Sequence, residues 1–282
     1  MSTSFDYIGD QELDAETRNE LQEVTKGFFN RPLEKAGNFD WEKFKRNEAF
    51  KAIMMPSPLF WVLASFERSF TQKLGEDMYE KFGRAVADAN DKIGSAENQH
   101  KCTGLQIAPA EEGKIESIIS QLKHGDREPD WEAEKQEILD LSYDESNIKD
   151  TGKVTWDLWI EEFHSGHPMA AEIKTPKPNQ DQTMQSKRKM LKTIATYKHR
   201  NSPTPIVRFV FPFNPYGSRD EYDWWPPQAF FDISESDGML IDKEFWDLIG
   251  GSGTMEGLFN FLLSESEGNK KKLRDLAGKD TL

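Results

Sequence analysis

Apolar residues recur at helical spacing through the first third of the chain, then switch to strict alternation near residue 154. Residues 14–27, DAETRNELQEVTKG, predict a surface helix that opens on Asp14 and closes near Gly27. Asp40–Lys51 predicts a second helix, with Trp41, Phe44 and Phe50 on its apolar side, and Pro56 and Pro58 then reset the chain. The strongest helical pattern of this half is Leu59–Lys73, where Leu59, Val62, Leu63, Phe66 and Phe70 make one face. Gly94–Glu112 is polar and reads as a connector. Ile115–Leu122 and Trp131–Leu141 are apolar stretches separated by charged turns, and Leu139–Tyr143 is a candidate strand.

From Val154 to Ile160 the period is two. Val154, Trp156, Leu158 and Ile160 share one face, and Thr155, Asp157 and Trp159 the other. Met169–Thr175 is a second short strand, ended by Pro176, with Ala171 and Ile173 opposite Glu172 and Lys174. The intervening FHSGHP carries turn residues, so the two strands predict a neighbouring pair and the turn accounts for His164 and His167. TPKPNQDQT then reads as a loop, with Asn179, Asp181 or Thr183 to cap a following helix whose stripe is Met184, Leu191 and Ile194. Pro205–Phe213 is almost continuously apolar, as a buried central strand requires. Met255–Leu263 is a last helix, before a charged C-terminus expected to fray. The fold expected is α/β: a mixed central sheet of about five strands flanked by helices. A mostly helical subdomain over 1–110 would precede a core over 111–282, unless the two form one continuous domain.

The alternating pair carries the candidate chemistry. Neighbouring strands lie about 4.8 Å apart. A register that sets Asp157 beside Glu172 therefore brings two carboxylates and the Lys174 ammonium together. Carboxylates that close repel unless a cation lies between them. A hard divalent ion such as Mg2+ accepts oxygen ligands and keeps several waters. With a lysine beside it, such an ion suits hydrolysis of a phosphodiester. Glu112 and Lys114 repeat the Glu-x-Lys spacing, but no strand precedes them. Glu67 lies beside the apolar face of its helix, where it is either a further metal ligand or the partner of a nearby base.

Charge sharpens this picture. The chain of 282 residues carries −14 overall, which argues against nucleic-acid binding by bulk attraction. Residues 151–219 nevertheless hold eleven Lys and Arg against five acids, net +6, leaving −20 for the remainder. Much of that positive charge lies on the helix after the second strand, at Lys187, Arg188, Lys189 and Lys192. A polyanionic substrate needs such a surface beside its cleavage centre. The single cysteine, Cys102, excludes an intrachain disulfide and a cysteine zinc site, and fits a reducing cytosol. No signal-like start and no apolar run of transmembrane length occurs, so a cytoplasmic protein is expected. The GGSG at residues 250–253 lacks the lysine of a phosphate loop.

The run VTWDLWI, followed by AEIKTPKPN and SKRKML, resembles the catalytic core of type II restriction endonucleases of the TdeIII type, which have the PD-(D/E)XK nuclease fold. EFWDLIGGSGT, Glu244–Thr254, is similar to the C-terminal segment of that family, and FERSFTQKLG, Phe66–Gly75, resembles an N-terminal helix of several restriction enzymes. Asp157 follows Trp156 where the fold's name has a proline. The resemblance implies a site-specific nuclease that cuts double-stranded DNA with Mg2+ as a two-fold homodimer. Asp157, Glu172 and the main-chain carbonyl of Ile173 would bind the metal, with Glu67 as a further ligand, and Lys174 would hold the water. Lys177, Asn179, Lys187, Arg188 and Lys192 would contact DNA. In the aromatic loop after Phe213, Arg219 could read guanine and Asp220 could accept from cytosine. A repair or junction nuclease of the same fold, a non-catalytic DNA-binding module and a carbohydrate hydrolase stay open. The hydrolase leaves Lys174 and the basic helix unexplained.

Overall fold

The computed structural model describes residues 13–74, 78–200 and 202–265, and the C-terminal tail expected to fray lies outside them. Among these, residues 83–255 form one compact unit, and 13–82 with 256–265 form another. The sequence pattern put this division near residue 110; it falls near 83 because the polar stretch after Gly94 belongs to the sheet.

That sheet has five strands in the order β1-β4-β5-β6-β7, namely Ala96–Cys102, Val154–His164, His167–Ile173, Ile206–Phe211 and Met239–Ile241. β1 and β4 are antiparallel, as are β4 and β5, while β5, β6 and β7 run parallel. This is the mixed α/β architecture expected from the pattern. Gly94–Glu112 is not an irregular connector: it supplies β1, the short β2 (Gln106–Ile107) and the start of α6 (Pro109–His124). β1 escapes an alternation search because AENQHKC is polar at nearly every position. It lies at the sheet edge, where polar strands resist pairing with other chains. β2 pairs with β3 (Lys149–Asp150) in a separate two-stranded sheet. Leu139–Tyr143 is not a strand; it finishes α7 (Trp131–Leu139) and runs on as coil.

The hairpin between β4 and β5 pairs His164 with His167 across Ser165 and Gly166. Both loop residues have positive φ, 51° and 77°, which is what a two-residue turn needs to follow the strand twist. The histidines thus serve the turn. Gly166 suits that backbone because it carries no Cβ.

Between β5 and β6 runs α8 (Gln180–Lys198), which packs on the sheet together with α6 and α7. Asn179 caps it through a reciprocal pair of bonds with Gln182, at 2.8 and 2.9 Å, the first of the three caps considered. Met190, Leu191, Ile194 and Ala195 are buried against Trp156, Trp159, Ala170, Val207 and Phe209. β6 is the buried central strand that its apolar run predicts.

The opposite face of β4 is covered by α5 (Tyr79–Asp88) and α10 (Lys243–Gly250). A Cβ on Gly83 would stand 3.2 Å from Leu158 and 3.4 Å from Phe245. Trp156 and Trp159 both join the core under α8, whereas Leu158 meets α5. The alternation therefore slips by one within β4, immediately around Asp157, and Trp159 does not share the face that strict period two assigns it.

The helical unit comprises α1 (Ala15–Gly37), α2 (Trp41–Asn47), α3 (Ala49–Met54), α4 (Pro58–Lys73) and the helical residues 256–265. Asp14 caps α1 through the Thr17 amide at 2.7 Å, as expected, but the helix does not close at Gly27. A helical Gly costs about 1 kcal/mol relative to Ala. Burial of Phe28 against Phe70, ring centroids 4.8 Å apart, outweighs that cost. The helix also continues through Pro32. On α3 and α4, Phe50 and Leu63 are exposed, at 78% and 50%, and do not sit on buried faces.

Candidate active site

At the ends of β4 and β5 nearest α8, the strand register decides which side chains meet. Leu158 pairs with Ala171, so one step further sets Asp157 opposite Glu172. The Ile173 amide donates to Asp157 Oδ2 at 2.8 Å, fixing the carboxylate at the strand end. Lys174 follows on the same chain and turns its ammonium inward. Its Nζ lies 3.1 Å from Asp157 Oδ2, 2.7 Å from Glu172 Oε1 and 3.1 Å from the Ile173 carbonyl oxygen. The other Glu172 oxygen, Oε2, accepts from Lys189 of α8. The Lys189 ammonium rests over the buried Trp156 ring, 4.3 Å from its centroid. The carboxylates are 13% and 11% exposed.

Electrostatics follow from burial and from these four charges. Burial, then the charge of Glu172, pushes the Asp157 carboxyl above the usual carboxylate range. Burial would raise Glu172 too, but Lys189 and Lys174 outweigh it and hold that carboxyl below its ordinary value. Burial would lower Lys174; Glu172 and Asp157 outweigh it, so Lys174 stays firmly cationic.

No group of three or more His, Cys, Asp and Glu suited to a metal ion occurs among the described residues. The donor set here is smaller: two carboxylates and one main-chain carbonyl. Those three oxygens already converge within 3.1 Å of a cation, the Lys174 ammonium. Hard oxygen donors in that number fit Mg2+, which commonly takes one or two carboxylates and fills the remaining positions with water.

The centre opens into a cleft of about 620 Å3. Glu172 and Lys174 lie in it, with Lys153, Arg188, Lys189 and Lys192 contributing positive charge to its walls. The loop between β5 and α8, whose ends Lys174 and Asn179 line the cleft, is held in place by several bonds. The Lys174 amide donates to Val210 O at 2.9 Å. The Tyr222 hydroxyl donates to Pro176 O at 2.5 Å, and Trp224 Nε1 to Pro178 O at 2.8 Å.

The structure brings Asp157, Glu172, Ile173 and Lys174 together, as the sequence pattern anticipated. It redistributes the other candidates. Arg188 and Lys192 face the cleft, and Arg188 also forks onto Glu116 at 2.6 and 3.0 Å. Asn179 lines the cleft as the cap of α8. Lys177 is exposed, its ammonium 5.0 Å from the Tyr216 ring centroid and 5.6 Å from that of Trp224. Asp220 is exposed. Glu67 is exposed on α4 of the helical unit.

Two expectations are corrected. Lys187 has no exposed ammonium to offer DNA: it is fully buried, paired with the equally buried Glu134 of α7, and lies over Trp131 and Phe231. Arg219 does not project toward a base edge: it is tied to Glu244 and to the carbonyls of Ile233, Glu235 and Met239. Lys189, by contrast, joins the centre although its position on a generally basic helix gave no separate signal.

The family model described as "Type II restriction endonuclease, HinfI" matches residues 15–265. The type II restriction enzyme HgiCII of Herpetosiphon aurantiacus is 26% identical over 276 residues, covering 91% of this chain and 97% of that enzyme. HgiEI, a type II restriction enzyme of the same organism, is 28% identical over 207 residues, 73% of this chain and 72% of that enzyme. The type II restriction enzyme MjaII of Methanocaldococcus jannaschii is 22% identical over 228 residues, 77% of this chain and 58% of that enzyme. No solved structure matches. The sequence motifs resemble the TdeIII type, but the model that matches is that of HinfI. With a family model covering nearly all of its described length, this chain belongs to the HinfI family of type II restriction endonucleases.

Proposed function

We propose that the protein is a Mg2+-dependent type II site-specific deoxyribonuclease that hydrolyses phosphodiesters of double-stranded DNA at a short sequence. The observation that carries this reading is the convergence of two carboxylates, a carbonyl and a lysine, with Glu172 and Lys174 opening into a cationic cleft. Asp157, Glu172 and the Ile173 carbonyl hold the ion. When bound, Mg2+ supplies charge for the phosphate and acidifies a ligated water. Lys174, kept charged by its two carboxylates, donates to the attacking oxygen and orients it toward phosphorus. The Ile173 amide keeps Asp157 pointed at the centre. Asn179, Arg188 and Lys192 bind the DNA backbone along the cleft, and the exposed Lys177 binds it beyond the cleft. With one such centre per chain, cutting both strands at a symmetric site calls for a two-fold homodimer.

The test is to digest a plasmid library with Mg2+ and sequence every fragment end. One short sequence at all ends is expected. Cleavage confined to branched DNA would instead assign a junction nuclease, and Mg2+-independent binding without cleavage a binding module.

A further inference from the structure

Lys189 is the part of the centre that the mechanism above does not use. Both oxygens of Glu172 are held by ammonium groups, Oε1 by Lys174 and Oε2 by Lys189. The two lysines reach it differently. Lys174 also bonds Asp157 and the Ile173 carbonyl, so it is fixed at three points. Lys189 comes from the opposite wall, on α8, with the flat face of Trp156 beneath its ammonium and the cleft in front of it. Its side chain is 18% exposed, and Arg188 and Lys192 of the same helix line the same cleft. A lysine is a flexible point charge on a four-carbon stem, and it can exchange one anionic partner for another. A cation held by Glu172 competes with Lys189 for the charge of that one carboxylate. A backbone phosphate in the cleft offers Lys189 an alternative anion.

We propose that Lys189 is shared between Glu172 and a phosphate of bound nucleic acid, so that phosphate in the cleft returns the full charge of the Glu172 carboxylate to a divalent cation. This deepens the reading under Proposed function and rests on it. Coupling through one side chain is reciprocal: the cation also tightens phosphate binding by the same factor. Coupling of this kind typically amounts to about 5–150-fold in affinity. Lys189 is thereby a positioning residue for Glu172 and a contact for substrate, distinct from the water-holding Lys174.

The experiment measures Mn2+ binding by electron paramagnetic resonance of the free ion, with and without a short duplex that the wild type leaves uncut. In parallel, duplex affinity in EDTA is followed across a series of salt concentrations. The duplex should tighten Mn2+ binding to the wild type roughly tenfold. Lys189→Met should bind Mn2+ roughly tenfold more tightly without DNA and lose the tightening by the duplex. Its log–log salt slope should be shallower by about 0.9, one phosphate contact. Lys189→Arg, which keeps the charge, should keep the wild-type salt slope. Unchanged or weaker Mn2+ binding by Lys189→Met, or an unchanged salt slope, overturns the proposal. So does wild-type Mn2+ affinity that is indifferent to the duplex, a measurement that needs no variant to fold. If the wild type binds no Mn2+ and cleaves nothing, the nuclease reading itself fails. If it cleaves while these couplings are missing, only the role of Lys189 fails.

Discussion

The fully buried pair of Lys187 and Glu134 separates a structural lysine from a DNA contact, and its loss should be large. Both side chains are 0% exposed, and aromatic rings lie 4.9 and 4.6 Å from the ammonium, those of Trp131 and Phe231. Burial pushes the Lys187 ammonium below its ordinary range, and the charge of Glu134 opposes that push. Removing one partner strands the other charge in this setting, which costs about 3–5 kcal/mol. In a unit of this size each kcal/mol lowers Tm by about 2–4 °C. Lys187→Met and Glu134→Leu should therefore each lower the transition of the sheet unit by roughly 6–20 °C. The double variant removes both charges while keeping similar apolar volume, so it should regain most of that loss. Calorimetry of the wild type, both single variants and the double closes the cycle. Salt-dependent DNA binding of the double variant should keep the wild-type slope. Single variants that lose less than about 1 kcal/mol, a double as unstable as the singles, or a salt slope shallower by one contact would refute the reasoning.

Other expectations follow from individual contacts. Lys174→Ala should retain the fold and lower the single-turnover cleavage rate by about 100- to 10,000-fold, the range for loss of a group that acts on a transferred proton or its oxygen. Arg219→Lys keeps the charge but cannot satisfy Glu244 and three carbonyls together, so stability should fall by about 2–4 kcal/mol with the cleavage sequence unchanged; an altered sequence would restore Arg219 to recognition. Asp242 is pushed up by burial, with Glu244 and Asp247 adding to the rise. Its folded form therefore binds a proton more readily than its unfolded form, and the protein loses stability as pH climbs through the raised value. Asp242→Asn, which keeps the shape of the side chain, should raise Tm at neutral pH, with the gain vanishing once both states of Asp242 are protonated below the ordinary carboxylate range. A gain that persists unchanged in acid would contradict this sign.

The centre was legible because strand alternation is a local signal. Asp157 and Glu172 lie on neighbouring strands joined by a tight hairpin, with Lys174 just past the second; a shift of pairing between Ile160 and His164 then sets Asp157 opposite Glu172. The slip in β4 was not legible, since it depends on α5 and α10 covering the far face at Leu158. Lys187 shows how a local signal can be misweighed. Met184, Lys187, Leu191 and Ile194 fall at helical spacing, so Lys187 occupies the apolar stripe itself. A charge at that position demands a buried partner, and Glu134 comes from a helix some fifty residues earlier. Arg219 likewise meets its acceptors only in the folded chain. β1 was missed because its partners, not its own residues, make it a strand.

The central claim is that Asp157, Glu172 and Lys174 form one cation-dependent phosphodiester-cleaving centre. The direct measurement is cleavage of supercoiled plasmid by the wild type and by Asp157→Asn, Glu172→Gln and Lys174→Ala, each with Mg2+ and with EDTA, after calorimetry has established that all four fold. The account predicts discrete fragments from the wild type with Mg2+ alone, and from none of the variants over the same time. Cleavage by the wild type in EDTA, or by a folded Lys174→Ala at the wild-type rate, would contradict it.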